Sequence, residues 1–488
     1  MRALRSGLLL VAGLMLLLAA VVAVRTVTYK GPSWERPVAL ADAIPVDGQA
    51  AARRLAEAIR FQTVSNQDEA ADRRDQWDAL HAWMAASYPK AHAAMARETV
   101  AGRTLVYTWR GSEPSLPPIV LMAHQDVVPV VPETLGQWTR PPFSGEIADG
   151  VVWGRGALDD KGSLVALMEA AETLAGRGFA PKRTVIFVFG HDEEVGGTGA
   201  KAAAALLATR GVKPLFVLDE GGLALTKDPV SGRPMAMIGV AEKGYATLEV
   251  IARGQGGHSS MPPEQTAVHV LAKAVDRIAS RPFPMKMDGP GADTLRTLLA
   301  NGSGLQRTLA ANEWLFGGLI AAQAGRDPGA ASILRTSTAP TMLSGSPKEN
   351  VLPDRAVALI NFRIHPRDSL ESVMAKARRD VGDLPVELRW KPGAAGASPT
   401  APTDTRSWRM LAALAREATG APPMPGLLSG ATDGRAMARL TPSVYRFLPV
   451  LVTPEELESF HGVNERLSIQ NLDRAAEFYA RLIATAAG

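Results

Sequence analysis

Five short polar clusters place imidazole and carboxylate side chains where they could take part in metal chemistry. The central cluster holds Asp159 and Asp160, which precede a lysine and a glycine. The other four supply imidazole and carboxylate groups; they are His124–Asp126, Asp192–Glu194, Asp219–Glu220 and His461. The chain has no cysteine, so any metal must be held by histidine and carboxylate. This donor set is typical of two divalent ions that share one carboxylate, and it predicts a two-metal hydrolytic centre.

Three of the clusters stand at the ends of apolar runs that read as buried strands. These runs are residues 118–123, 184–189 and 215–218, and they lead to His124, to Glu193 and Glu194, and to Asp219. Parallel strands buried on both faces have such continuous apolar sequences, and sites form at their carboxyl ends. Aspartate also favours turns for local hydrogen bonding. Three successive strands ending in metal-type donors favour the site over the turn interpretation.

Spacing within the clusters suggests separate roles. His124 and Asp126 are two residues apart, so in extended backbone they lie on the same side, where the carboxylate can orient the imidazole. Asp159 is suited to bridging two metals, although an aspartate at this place can also cap a helix. Glu193 and Glu194 are adjacent, so their side chains diverge; one can bind metal while the other acts as general base.

Together these segments resemble the co-catalytic zinc carboxypeptidase and aminoacylase family, in the family's order and over nearly the whole chain after residue 27. The branch most similar is that of carboxypeptidase S and the secreted N-acyl amino acid hydrolases. The matching segments are Met122–Asp126, Gly154–Gly162, Asp192–Gly197, Leu218–Gly222, Gly256–Ser260 and His461–Gly462.

The resemblance implies ligands for two zinc ions, with Co²⁺ or Mn²⁺ as alternatives. The two ligand sets share Asp159: they are His124, Asp159 and Asp219 for one ion, and Asp159, Glu194 and His461 for the other. Asp126 would orient His124, and Glu193 would be the general base. The peptide bond between Asp159 and Asp160 is often cis in the family.

Further residues are carried over from the resemblance. His258 would donate to the oxyanion in a neighbouring subunit's site; the alternative is a polar residue in a glycine-rich turn. Asn350, Arg363 and Gly430 would bind substrate, and for Arg363 a surface ion pair is an alternative. In the family the inserted domain often forms the dimer contact, so a homodimer is one expectation.

The activity implied is zinc-dependent hydrolysis of the amide bond next to a C-terminal amino acid with a free carboxylate. Glycine-containing dipeptides and N-acyl amino acids are the expected substrates, attacked by a hydroxide between the metals with Glu193 as base. One alternative is a dinuclear hydrolase of another bond, such as an ester or phosphoester. Another is a catalytically silent, membrane-anchored binding protein of the same fold.

The elements needed to position these residues predict an α/β protein with two domains. We expect a catalytic domain with a mostly parallel central sheet flanked by helices, built from residues 46–241 and 390–488. Half-polar strands alternating with helices predict an inserted α+β, ferredoxin-like lid or dimerisation domain at 242–389. Within it, residues from about Pro282 to Pro328 contain proline and glycine and are expected to be less regular.

The first 27 residues predict a membrane-targeting segment. Arg2 and Arg5 precede an uncharged apolar run, Gly7–Val24, that is close to the length needed to cross a bilayer. An uncleaved anchor is favoured over a cleaved signal peptide or a buried helix, and residues 28–45 would form a stalk. The catalytic body would then lie outside the cytoplasm, in the periplasm if the source is bacterial. The net charge of +4 gives no footprint for nucleic-acid binding.

Overall fold

The computed structural model describes residues 2–488. Its helices are α1 (Arg2–Thr28), α2 (Gly48–Ile59), α3 (Arg74–Ser87), α4 (Pro89–Ala94), α5 (Lys161–Gly176), α6 (Thr198–Thr209), α7 (Ala267–Ala279), α8 (Gly289–Asn301), α9 (Leu305–Ala311), α10 (Glu313–Ala324), α11 (Pro328–Leu334), α12 (Leu370–Val381), α13 (Arg406–Thr419), α14 (Gly434–Met437), α15 (Pro454–Leu457) and α16 (Ile469–Ala487). Three short 3₁₀ helices lie at Glu69–Ala71, Pro132–Gln137 and Glu193–Val195.

The strands are β1 (Ala96–Val100), β2 (Thr104–Trp109), β3 (Ile119–His124), β4 (Glu146–Ala148), β5 (Val151–Trp153), β6 (Val185–Gly190), β7 (Phe216–Asp219), β8 (Ala224–Leu225), β9 (Met235–Glu242), β10 (Gly244–Arg253), β11 (Gly257–His258), β12 (Ser337–Ser344), β13 (Val351–Leu352), β14 (Arg355–Ile364), β15 (Val386–Trp390), β16 (Pro423–Leu428), β17 (Val444–Arg446), β18 (Leu451–Val452) and β19 (Arg466–Ser468).

The chain divides into two compact units. The larger, which we call the catalytic unit, contains residues 33–240, 400–426 and 432–488. The smaller, which we call the lid unit, contains residues 1–32, 241–399 and 427–431. The lid unit therefore includes the N-terminal helix and a short segment near residue 430, neither of which the sequence assigned to it.

The catalytic unit is organised around a large mixed sheet. Its central strands β6, β3, β7 and β17 are neighbours and run parallel, and antiparallel strands flank them. Every residue of β3, β6 and β7 is buried, as their continuous apolar sequences predicted. Helices α5 and α16 pack together beside the sheet. The predicted α/β class with a largely parallel sheet and flanking helices is confirmed.

The lid unit has a four-stranded antiparallel sheet in the order β12-β14-β10-β15. Together with α7 and α12 this is the ferredoxin-like arrangement. The alternate residues of β10 and β14 that face these helices form the core, among them Leu248, Val250, Ile360 and Phe362. The half-polar strand pattern follows because one face of this sheet is packed and the other is not.

The stretch expected to be irregular, between α7 and β12, contains four helices, α8–α11. The expectation of irregular structure was wrong, and two of the prolines stand where helices begin. Pro290 and Pro328 occupy the first turns of α8 and α11, where proline's missing N–H costs no hydrogen bond. The Asp327 side chain caps α11 by accepting from the Ala330 N–H.

Helix α1 is long and apolar enough to cross a membrane from Leu4 to Thr28, by length and composition. Its side chains from Leu8 to Leu10 and from Leu14 to Leu17 are among the most exposed apolar groups of the lid unit. After α1 the chain runs without regular structure to Asp47, whose side chain caps α2.

Candidate metal centre

Asp159 lies between two histidines at the carboxyl edge of the central strands. Its Oδ1 is 2.8 Å from His124 Nε2, and its Oδ2 is 2.9 Å from His461 Nε2. His124 is the last residue of β3, and Asp159 lies two residues before α5. His461 lies in the loop before β19 and has a left-handed backbone with φ of 54°, a conformation that costs energy and concentrates at functional sites. The two oxygens of Asp159 therefore face different imidazoles, as a bridging ligand requires.

The two adjacent glutamates are held by Asp126. Its Oδ1 accepts a hydrogen bond from the Glu193 N–H at 3.2 Å, and its Oδ2 accepts from the Glu194 N–H at 3.1 Å and from Ser65 Oγ at 2.6 Å. Asp126 also approaches His124: the imidazole Nδ1 is 3.0 Å from its backbone oxygen and 3.4 Å from its Oδ1. One buried carboxylate thus positions the imidazole at the end of β3 and the short helix after β6.

Two groups of donor atoms in the described chain lie close enough to hold an ion. One contains His124, Glu193 and Glu194, and the other contains Asp159, Glu194 and His461, with all donors of a group within 4.8 Å of one another. Glu194 Oε1 is buried and lies 3.2 Å from His461 Nε2. Asp219 belongs to neither group; its Oδ2 accepts a hydrogen bond from the Gly434 N–H.

The charges of this cluster favour bound cations. Hydrogen bonds to Asp159 and Glu194 raise the pKa of His461 to about 10. Burial opposes protonation of His124, but hydrogen bonds to Asp126 and Asp159 outweigh it and raise its pKa well above the usual value. The same two histidines lower the pKa of Asp159, although burial acts against this. The carboxylates therefore draw protons onto both imidazoles, and divalent ions would supply that positive charge instead. The residues present fit a divalent metal centre.

Other carboxyl groups beside the cluster are held towards the neutral form. Burial is the largest effect, and it raises the pKa of Glu193, Asp160 and Asp433 well above the usual values. The Asp159–Asp160 peptide bond is cis, as the resemblance implied. Asp160 Oδ2 accepts from the His124 N–H at 3.2 Å, so this residue supports the end of β3.

A buried ion pair that the sequence did not predict connects the loop carrying Asp159 to the loop carrying His461. Glu465 Oε1 accepts hydrogen bonds at 2.9–3.0 Å from three backbone N–H groups, those of Gly156, Leu158 and Asp159. Its Oε2 is 2.6 Å from Arg155 Nη1, and Arg155 Nη2 donates to the backbone oxygens of His461 and Gly462. The only sequence signal was an acidic residue four positions after His461.

The remaining predicted residues lie in the lid unit and form two pairs. His258 in β11 is paired with Val351, and the backbone oxygen of Asn350 accepts from the Ser259 N–H at 3.2 Å, so His258 and Asn350 are neighbours. The His258 imidazole is exposed, with Nδ1 2.8 Å from Ser260 Oγ.

Arg363 and the segment containing Gly430 form the second pair. The guanidinium of Arg363 lies over the Tyr245 ring at 4.7 Å and donates to the Ser429 backbone oxygen at 3.3 Å. Among the residues that the structure describes, no carboxylate forms an ion pair with Arg363.

Comparison with known proteins gives consistent results. Residues 120–485 match the model of peptidase family M20/M25/M40. The chain is 38% identical over 397 residues to the human N-fatty-acyl-amino acid synthase/hydrolase PM20D1, covering 80% of this chain and 78% of that protein. It is 30% identical over 473 residues to carboxypeptidase S of Saccharomyces cerevisiae, covering 85% and 80%. The crystal structure of the M20 family metallo-carboxypeptidase Sso-CP2 from Sulfolobus solfataricus superposes with a TM-score of 0.67 at 18% identity, covering 89% of this chain and 98% of that one, which supports the fold.

Proposed function

The chain belongs to peptidase family M20/M25/M40, and from this membership and its site we propose a zinc-dependent hydrolase of the amide bond before a C-terminal amino acid. The family is one of metal-dependent hydrolases, as the sequence predicted. The observation that carries the proposal is the placement of Asp159 between His124 and His461, with Glu194 completing the second cluster. Imidazole and carboxylate donors of this kind suit zinc, and also Co²⁺ or Mn²⁺.

We keep the ligand assignment that the resemblance implies. Asp159 would be shared by two ions; His124 and Asp219 would complete one site, and Glu194 and His461 the other. Asp219 lies outside both donor groups, and its Oδ2 accepts a hydrogen bond from the Gly434 N–H. Two divalent ions, when bound, would polarise the scissile carbonyl and lower the pKa of a water molecule.

Glu193 is the proton carrier in this proposal. It is next to a ligand, its backbone is fixed by Asp126, and burial raises the pKa of its carboxyl group towards the range where a general base works best. Glu193 takes a proton from the attacking water and returns it to the leaving amine. In a homodimer, the His258 side chain of the neighbouring copy donates a hydrogen bond to the oxyanion.

The substrate class follows from the lid unit and the relatives. Arg363 is held by Tyr245 and Ser429, and no carboxylate of the described residues pairs with it, so it can receive the free carboxylate of the substrate. Gly430, next to Ser429, and Asn350, beside His258, are the other residues proposed to bind substrate. One similar protein is named a carboxypeptidase, and another is named an N-fatty-acyl-amino acid synthase/hydrolase. We therefore propose N-acyl amino acids and glycine-containing dipeptides as substrates.

The test is hydrolysis by the purified full-length protein of N-acyl amino acids and dipeptides, each offered beside its C-terminal amide twin. We expect cleavage that needs metal, is lost with a chelator, returns with zinc, and requires the free carboxylate. Equal cleavage of the amide twins would agree with the metal centre but would show that Arg363 does not select for the free carboxylate of the substrate. Cleavage of esters or phosphoesters alone would favour the other-bond hydrolase.

We also propose that α1 anchors the protein in a membrane, with the catalytic unit outside the cytoplasm. Support comes from the length and apolar composition of Leu4–Thr28 and from Arg2 and Arg5, which precede the apolar run Gly7–Val24. Alkaline carbonate extraction of cell membranes tests the anchor: an anchored protein stays in the pellet, and a cleaved, secreted one does not.

A further inference from the structure

The lid unit exposes an apolar helix face that no part of the described chain covers. Five residues of α10 lie on one side of the helix and are solvent-exposed; they are Trp314, Leu315, Gly318, Leu319 and Ala322. The exposed fractions are 58% for Trp314, 40% for Leu315 and 59% for Leu319. We call these five residues the α10 face.

Unlike an ordinary surface helix, α10 has no charged residues on its exposed face. From Trp314 to Gly325 the sequence has no charged residue. The one acid of the helix, Glu313, is paired with Arg296 at 2.7 Å. A surface helix normally carries polar and charged groups on its outer face, and a contiguous exposed apolar surface marks an interaction site.

Hydrogen bonds place the start of α10 against the last turns of α1. The Asn312 side chain, immediately before α10, donates to the Val22 backbone oxygen at 3.4 Å and to Thr26 Oγ1 at 3.2 Å. Arg25 Nε donates to the Ala311 backbone oxygen at 3.2 Å. These contacts are made within the lid unit and fix the beginning of α10 to the C-terminal end of α1.

The position of this junction along α1 sets its depth relative to a membrane. The uncharged run of α1 ends at Val24, and Arg25 follows. A helix needs about 20 residues to cross the hydrocarbon layer, so residues 22–26 stand at its boundary with the headgroups when α1 spans it. An element joined to α1 at that level lies at the membrane surface, where tryptophan is enriched.

From this placement we propose that the α10 face lies in the interfacial layer of the bilayer that α1 spans. In this arrangement Trp314, Leu315 and Leu319 are embedded in lipid. The lid unit is then attached to the membrane at two points, one helix crossing and one lying flat. The proposal rests on the proposed anchoring by α1 and does not depend on which bond the enzyme hydrolyses.

The chain has no cysteine, so single cysteines can carry a nitroxide label without background. The full-length protein is reconstituted in vesicles of phosphatidylcholine and phosphatidylglycerol with Leu319→Cys or Ala322→Cys labelled. The matched control is Glu371→Cys, an exposed position on α12 of the same unit. We expect the α10 labels to be relaxed by oxygen, which dissolves in lipid, and protected from a water-soluble nickel complex, while the Glu371→Cys label shows the reverse.

Two results would overturn the proposal. One is equal access of the nickel complex to the α10 labels and to the control. The other is dipolar broadening of the α10 spectra that disappears on dilution with unlabelled protein, which would identify a second copy of the chain as the occupant. A Leu315→Glu/Leu319→Glu background should raise nickel access at the Ala322→Cys label severalfold. Val268→Glu, a charge at an exposed apolar position on α7, should leave it unchanged.

Discussion

Glu193 and Glu194 are neighbours in sequence but have different surroundings. Glu194 belongs to both donor groups and faces His461, whereas Glu193 belongs only to the group that contains His124. Both backbones are fixed by the same buried carboxylate, Asp126, so the two side chains diverge from one anchored point. A fixed divergence of this kind lets one glutamate bind metal while the other moves protons.

We expect Glu193→Gln to lower turnover by at least about 10²-fold, because the amide cannot accept the proton. Both metals should remain. Glu194→Gln should instead lower the bound metal content. The measurements are turnover of an N-acyl amino acid and metal analysis of the two isosteric variants side by side. Loss of metal from Glu193→Gln with retention in Glu194→Gln would mean that the two roles are exchanged.

Glu465 acts on the centre through the backbone that it holds. We expect Glu465→Gln to weaken metal binding by about 10–100-fold, the usual effect of removing a group that orients ligands. It also leaves Arg155 buried without its partner, so thermal stability should fall. Chelator competition measures the affinity, with exposed Glu264→Gln as the control. Unchanged affinity in Glu465→Gln would show that the loop keeps its shape without this carboxylate.

Among the elements, α16 connects the end of the chain to the site. It follows β19 directly, packs against α5, α13 and α2, and buries Leu472, Phe478 and Leu482 among others. Helix α5 begins immediately after Asp160, so α16 supports the helix that follows Asp159. The Ser468 side chain starts α16 by accepting from the Asn471 N–H at 3.1 Å.

Removing this cap gives a test at the level of one element. Ser468→Ala should lower the free energy of unfolding of the catalytic unit by about 1 kcal/mol, because the first turn of α16 loses an acceptor for its free N–H groups. Ser468→Asp restores the acceptor and should stay close to the wild type. Urea unfolding in detergent compares the three proteins. Identical midpoints for Ser468→Ala and the wild type would mean that packing alone sets this helix end.

At the scale of the whole molecule, the catalytic unit contains an unusual concentration of buried acid. Burial raises the pKa of Glu193, Glu220, Asp160 and Asp433 well above the usual values. A carboxyl group with a raised pKa in the folded state favours folding below its unfolded pKa, and this contribution is lost as pH rises through the folded pKa. Bound cations offset this loss of stability, because they compensate the negative charge of the ionised carboxylates.

We therefore expect metal removal to lower the melting temperature, and to lower it more at about pH 8 than at about pH 5.5. Saturating metal, at about 1,000 times its dissociation constant, stabilises the folded state by about 4 kcal/mol. Thermal unfolding with chelator and with zinc at both pH values measures the difference. Calcium serves as the control, because it prefers a larger set of oxygen ligands. A difference independent of pH would contradict the role of the buried carboxylates.

Much of the fold was determined by local sequence. Continuous apolar runs specify β3, β6 and β7 because these strands are buried on both faces, and alternation specifies β10 and β14 because only one face of their sheet is packed. The cap at Ser468 likewise needed only its neighbours along the chain. The helices α8–α11 were missed because proline and glycine allow either a loop or a helix end, and packing decides between them.

The amino-acid sequence was sufficient to identify the residues that could bind metal, because donor type and order along the chain are read directly from it. Tertiary structure alone decided the geometry: the shared position of Asp159 between two histidines, the Gly434 N–H on Asp219, and the Glu465–Arg155 pair. These contacts join residues about 200–300 positions apart in several cases. No local pattern encodes such a distance, since only the packed sheet and its loops bring the partners together.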